Sequence, residues 1–148
     1  MIIIQAEPFN PGLELARFMD RAPGAGAIVS FTGLVRAESE LGPVSKLELD
    51  HYPALTAKTL EAIREEAGAR FDLDELVIIH RHGMLERGEP IVFVAAAAPH
   101  RRAAFEAADY VMDRLKTEAA FWKREHGRGG STWIEASAAD LEDRARWG

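Results

Sequence analysis

From Glu89 to Ala119 the chain reads EPIVFVAAAAPHRRAAFEAADYVMDRLKTEA, and this stretch constrains the possible folds more than any other. Its first part is an unbroken apolar run bounded by turn signals, the pattern of a strand. From His100 to about Ala119, Phe105, Ala108, Met112, Leu115 and Ala119 recur at three- and four-residue steps, the core stripe of a long helix. A second strand, in LDELVIIHRHG, precedes the first and is separated from it by the turn-like ERGEP.

The remaining segments alternate in the same mixed way. Met1–Glu7 is β-branched and predicts an opening strand, and PGLELARFMDRA a short helix with Leu13, Ala16 and Phe18 near helical spacing. The β-rich run GAIVSFTGLVR is interrupted by Gly33, which marks a bulge or a close backbone approach. VSKLELDHY alternates as a half-buried strand and is ended by Pro53. The next helix places Leu55, Leu60, Ile63, Ala67 and Phe71 on or near one face. FWKREH and STWIEA flank GRGG and predict a β-hairpin with a four-residue loop; ADLEDRARW predicts a closing helix. With hairpins present and no regular βαβ alternation, the class is α+β, with packed helices on mixed or antiparallel sheets in a single domain over residues 1–148.

Composition narrows the function. Apolar residues make up 47% and charged residues 28% of the chain, values of a soluble globular protein. No apolar run approaches the roughly 20 residues of a membrane helix, and the N-terminus lacks the basic region and cleavage site of a signal peptide, so a cytoplasmic location is expected. There is no cysteine, so disulfides, thiolate metal sites and thiol nucleophiles are excluded. The net charge of −6 argues against nucleic acid as a partner. Between His100 and Arg128, however, seven Lys/Arg stand against five Asp/Glu. A small basic island in an acidic chain suits a compact anionic ligand, although ordinary variation along a solvated surface explains a difference of this size too.

Four lysines stand against fourteen arginines, and two of them, Lys116 and Lys123, bracket the segment TEAAFW. Each alone has an ordinary explanation. Lys116 is stabilised at the C-terminal end of a helix by the macrodipole, and Lys123 is a solvated strand residue. Together, at a helix–strand corner, two ammonium groups can meet one anion, and lysine is the cation whose pKa burial lowers into a useful range. His100 and Arg101 open the long helix, where unpaired N–H groups make an anion seat and basic side chains are otherwise unfavourable. Arg36 ends FTGLVR, where Gly33 lets the backbone approach a ligand; taken alone it is an exposed arginine at a strand end. His80 and His82 lack a third metal ligand at a recognisable spacing and are expected to be structural or surface residues. GRGG lacks the pattern of a phosphate loop. Phe121 and Trp122 alternate faces in a strand, so that one packs in the core and the other lines a pocket or dimer seam; the core is the first expectation for both.

Taken in order, FTGLVR, LELDHYP, VIIHRHG, the block from IVFVAAAAPHRR to FWKRE and the strand WIEA resemble the large catalytic subunit of molybdopterin synthase, the MoaE family, over about residues 9–147. The resemblance implies a hammerhead-like α/β arrangement. It also implies a sulfurtransferase that inserts two sulfurs into cyclic pyranopterin monophosphate to make the dithiolene of molybdopterin. The sulfur would come from the C-terminal Gly-Gly thiocarboxylate of a small ubiquitin-like subunit, with a homodimer at the centre of a heterotetramer and no metal or other cofactor.

Carried over by motif, Lys116 and Lys123 are the catalytic pair. Leu34, Val35, Arg36, His100, Arg101, Arg124 and Glu125 join them in binding substrate. Leu34 departs from members that carry lysine there, which removes any side-chain contact that lysine makes. The absence of cysteine agrees with sulfur carried entirely by a partner. The rival reading is a non-catalytic adaptor for a ubiquitin-like protein; a small RNA-binding module is disfavoured by charge and by the lack of an aromatic stacking motif.

Overall fold

Strand β7, Pro90–Ala98, is buried along most of its length, and its two faces pack on different helices. The computed structural model describes residues 1–39, 42–128 and 130–148. Val92, Val94 and Ala96 join a core with α2 (Pro53–Arg70) and α3 (Arg101–Glu118); Phe93, Ala95 and Ala97 pack with Phe18 of α1 (Pro11–Arg21). The period-two alternation of a strand thereby divides one apolar run between two layers. β7 lies inside a four-stranded sheet ordered β1 (Ile2–Gln5), β5 (Glu75–Arg81), β7, β2 (Ala27–Leu34). Only β1 and β5 run parallel.

A second, antiparallel sheet holds β3 (Glu38–Ser39), β4 (Gly42–His51), β8 (Phe121–Gly127) and β9 (Gly130–Ile134), with β6 (Gly83–Glu86) also paired to β4. Val35, Val44, Leu47, Leu49 and Leu85 form the core beneath it. The chain passes from one sheet to the other between β5 and β6, where Gly83 takes a φ of +93° that an L side chain resists. The mixed α+β class is therefore found, and no helix among the described residues is long and apolar enough to cross a membrane.

The structure refines several sequence expectations. Gly33 does both things expected of it. The β2–β7 register shifts between Gly33 and Leu34, and a Cβ on Gly33 would lie 2.8 Å from Val92 Cγ1. On α3 the buried stripe is Ala104, Ala107, Ala108, Val111 and Leu115, while Phe105 is 59% exposed. Alanines let the helix lie close on the alanine-rich β7, and that rotation turns Phe105 outward. Leu13 and Leu55, expected in helix cores, are exposed as well. β6 was not foreseen. The hairpin loop is tighter than GRGG suggested, because Gly127 already pairs with Gly130; Gly129 lies outside the described residues. Phe121 packs inward, whereas Trp122 is exposed rather than in the core and lines a cavity, the alternative the strand alternation left open.

The last helix, α4 (Ala138–Ala145), has a capping box between Ser137 and Asp140 but buries no residue of its own. It is anchored from its far end. Trp147 stands edge-on to Phe71 and Tyr110, gives its indole N–H to Asp113 at 2.8 Å, and offers its carbonyl to Arg70 at 2.8 Å.

Candidate active site at the α3–β8 corner

Lys116 occupies the exposed last turn of α3, where the carbonyl end of the helix favours a cation. The chain leaves the helix at Ala119 and enters β8 at Phe121. Thr56, fully buried at the start of α2, fixes this corner by donating its hydroxyl to the Ala120 carbonyl at 2.9 Å. Strand alternation then turns Phe121, Lys123 and Glu125 to one side of β8. Both lysines line a cavity of about 860 Å³, within the range of small-molecule sites. The bulged end of β2 brings Leu34, Val35 and Arg36 to it, β5 brings His80, and the start of α4 brings Ser137 and Asp140.

The electrostatics are those of crowded positive charge. Burial first, then the neighbouring charges of Lys116 and Arg36, together push the Lys123 ammonium down to about 8, with Asp140 pulling the other way. Glu125 is buried and accepts a hydrogen bond from Arg36 at 3.5 Å, while the Arg36 side chain stays 66% exposed. Arg36 is thus held at one point and otherwise available to an anion. Val35 contributes packing and backbone: it is 3% exposed and bonded to the β6–β7 turn through Glu89 and Gly88.

The other sequence candidates fall elsewhere. Arg124 projects from the opposite side of β8 and lies over the Trp133 ring at 4.1 Å, outside the cavity lining. His100 is the N-cap residue of α3 and Arg101 its first residue. Fifteen residues of helix separate Arg101 from Lys116, about 22 Å at 1.5 Å per residue. Within one chain, therefore, the histidine–arginine pair does not share the lysines' cavity. The basic island divides further, since Arg114 is committed to Glu66 and Glu118.

The sequence reading missed His80, Asp140 and Ser137 as cavity residues. Only the capping pattern S-A-A-D was visible beforehand, and it predicts a helix start, not a wall beside a lysine. His80 and His82 do not form a pair. His80 stacks on Phe121, centroids 3.9 Å apart, whereas His82 meets His51 at 4.4 Å. His51 is held below its ordinary pKa by burial and by His82, and its Nδ1 is buried without a partner. No group of three or more His, Cys, Asp or Glu among the described residues is placed to hold a metal ion.

Known proteins match the chain over nearly its whole length. The family described as "MoaE protein" matches residues 4–118. The molybdopterin synthase catalytic subunit of Cereibacter sphaeroides is 49% identical over 146 residues, covering 99% of both chains. Among solved structures, a molybdopterin biosynthesis MoaE protein from Burkholderia ambifaria superposes with a TM-score of 0.84 at 42% identity, covering 100% of this chain and 97% of its own. Molybdopterin synthase from Staphylococcus aureus gives 0.80 at 31% identity, covering 89% of this chain and 95% of that one. The profile match and identity on this scale over nearly the whole length place the chain in the MoaE protein family.

Proposed function

We propose that this chain is the catalytic subunit of a molybdopterin synthase. It would transfer two sulfurs from the C-terminal thiocarboxylate of a small ubiquitin-like subunit to cyclic pyranopterin monophosphate. The observation that carries this reading is the meeting of Lys116 and Lys123 in one cavity with Arg36 at its edge. Arg36 takes the phosphate or the pterin. The lysines stand at the thiocarboxylate and the reacting carbons, where they stabilise developing oxyanions. Lys123, held near 8, both gives and takes a proton near neutral pH and so serves the opening of the cyclic phosphate.

His100 and Arg101 complete the anion site from a second copy of the chain, since α3 keeps them far from the lysines of their own. This reading requires a homodimer, with one small subunit serving each cavity. The test is a single-turnover assay with thiocarboxylated small subunit and cyclic pyranopterin monophosphate, following the pterin by mass. Gain of two sulfurs, lost in Lys116→Ala, supports the assignment. Tight binding of the small subunit without sulfur transfer, under conditions where an authentic synthase works, replaces it with the adaptor.

A further inference from the structure

His80 lies at the seam of the two sheets. It sits near the end of β5 in the first sheet, and its ring lies nearly parallel, at 15°, to Phe121 of the second. It is 5% exposed and lines the cavity that holds both lysines. Its Nδ1 is 2.8 Å from the Arg81 carbonyl. A carbonyl only accepts, so Nδ1 carries the proton and Nε2 is left with a lone pair. Burial, Lys123, Lys116 and His51 all oppose a second proton, and only the bond to the Arg81 carbonyl favours one; the ring titrates at about 3. His80 is therefore a neutral acceptor throughout the physiological range.

Packing alone does not explain an imidazole here. A phenylalanine or methionine would fill the seam without placing a second ring nitrogen against the cavity. Nδ1 is used inside the chain, and Nε2 makes no hydrogen bond among the described residues. Most other polar groups of the cavity are engaged or positive. Arg36 holds Glu125, the Thr117 hydroxyl donates to the Asp113 carbonyl, and Asp140 accepts from the Ser137 N–H. The charges around Lys123 are Lys116 from α3, Arg36 after β2 and Asp140 from α4. Glu135 also lines the cavity, at an exposed position, and His51 lies beyond Phe121.

We propose that His80 is a positioning residue for Lys123: its Nε2 accepts a hydrogen bond from the Lys123 ammonium, directly or through one water, and holds that side chain against the repulsion of Lys116 and Arg36. In this structure the two are electrostatic neighbours without a direct bond, and the flexible lysine stem closes the gap. The proposal rests on the synthase reading for its consequence in turnover, but the relation between the two side chains is tested without it.

Two variants separate this role from packing. His80→Asn retains a donor near Nδ1, to keep the Arg81 carbonyl satisfied, and loses the far acceptor. His80→Gln retains an acceptor near Nε2 and loses the local donor. Protein labelled with [13C,15N]-lysine contains only four lysines, assignable by single Lys→Arg changes, and the titration of Lys123 is read from its 13Cε shift against pH. The expected result is a fall of the Lys123 midpoint by about half a unit or more in His80→Asn, with a midpoint near that of the unaltered chain in His80→Gln. An unmoved midpoint in His80→Asn, or an equal shift in both variants, overturns the proposal. In the sulfur-transfer assay, His80→Asn lowers kcat and moves its alkaline limb down by the same interval at nearly constant KM, and His80→Gln restores both. If the unaltered chain transfers no sulfur, the proposed function fails while the lysine titration still decides the role of His80.

Discussion

Lys116 depresses Lys123 from across a corner of two residues, Ala119 and Ala120, so the folded chain holds the second lysine charged only at a cost. The sign follows from linkage. Lys123 is lowered from 10.5 to about 8, so between those values the unfolded chain binds more protons and stability rises with pH. Below about pH 8 the penalty is present in full. Replacing Lys123 with methionine removes it. Lys123→Met is expected to raise stability at neutral pH by up to about 3 kcal/mol while abolishing turnover. Urea unfolding at pH 7 and pH 10.5 checks it, and the gain shrinks at the higher pH.

Lys116 is exposed and makes no packing contribution to the core. Lys116→Ala is expected to leave the melting temperature within a degree or two of the unaltered protein and to lower turnover by orders of magnitude. Loss of its charge also lets the Lys123 midpoint rise, measurable in the same lysine titration. Near-normal turnover in this variant removes Lys116 from the mechanism.

Acid acts through His80. Its folded value of about 3 lies below the ordinary 6.5, so the unfolded chain takes up a proton first and stability declines as pH falls from 6.5 towards 3. His80→Gln removes that titration. The difference in unfolding free energy between the two proteins is expected to be constant above pH 7 and to move in favour of the variant between pH 6 and pH 4. Parallel curves across that range contradict the assignment of a buried neutral ring.

The separation of Arg101 from Lys116 along α3 predicts complementation. If each cavity takes its lysines from one copy and its histidine–arginine pair from the other, Lys116→Ala and Arg101→Ala chains are each inactive alone. Mixed dimers then contain one intact cavity, and refolding equal amounts together restores about a quarter of the unaltered activity by random pairing. No recovery, with mixed dimers shown by mass, places the pair outside the site.

What the sequence disclosed depended on the range of the physics involved. β7 and α3 were legible because an unbroken apolar run and a 3.6-residue stripe are local signals, and the Gly33 bulge because only a missing side chain permits that approach to Val92. Phe105 was misplaced because periodicity marks an apolar face but does not say that adjacent alanines pack closer. The two lysines and Arg36 could be named from motif spacing. His80 and Asp140 reach the same cavity from β5 and α4, elements whose arrangement is set by sheet order and by contacts distant in sequence. His100 and Arg101 were grouped with the lysines by motif, and a single chain holds them a helix length apart.

The anchoring of Trp147 gives the cavity a wall hung from its far edge. α4 carries Asp140, the acid that partly offsets the crowding around Lys123, yet nothing in α4 is buried to keep it there. The indole between Phe71 and Tyr110 acts as the hinge pin, and Asp113 and Arg70 keep it seated. The acid–base behaviour of Lys123 is thereby coupled to contacts that α4 and the residues after it make with α3, Arg144 to Glu118 and Trp147 to Tyr110 and Asp113. Trp147→Ala would lower the Lys123 midpoint without altering a single atom that lines the cavity, so the reactivity of this corner can be tuned from behind it.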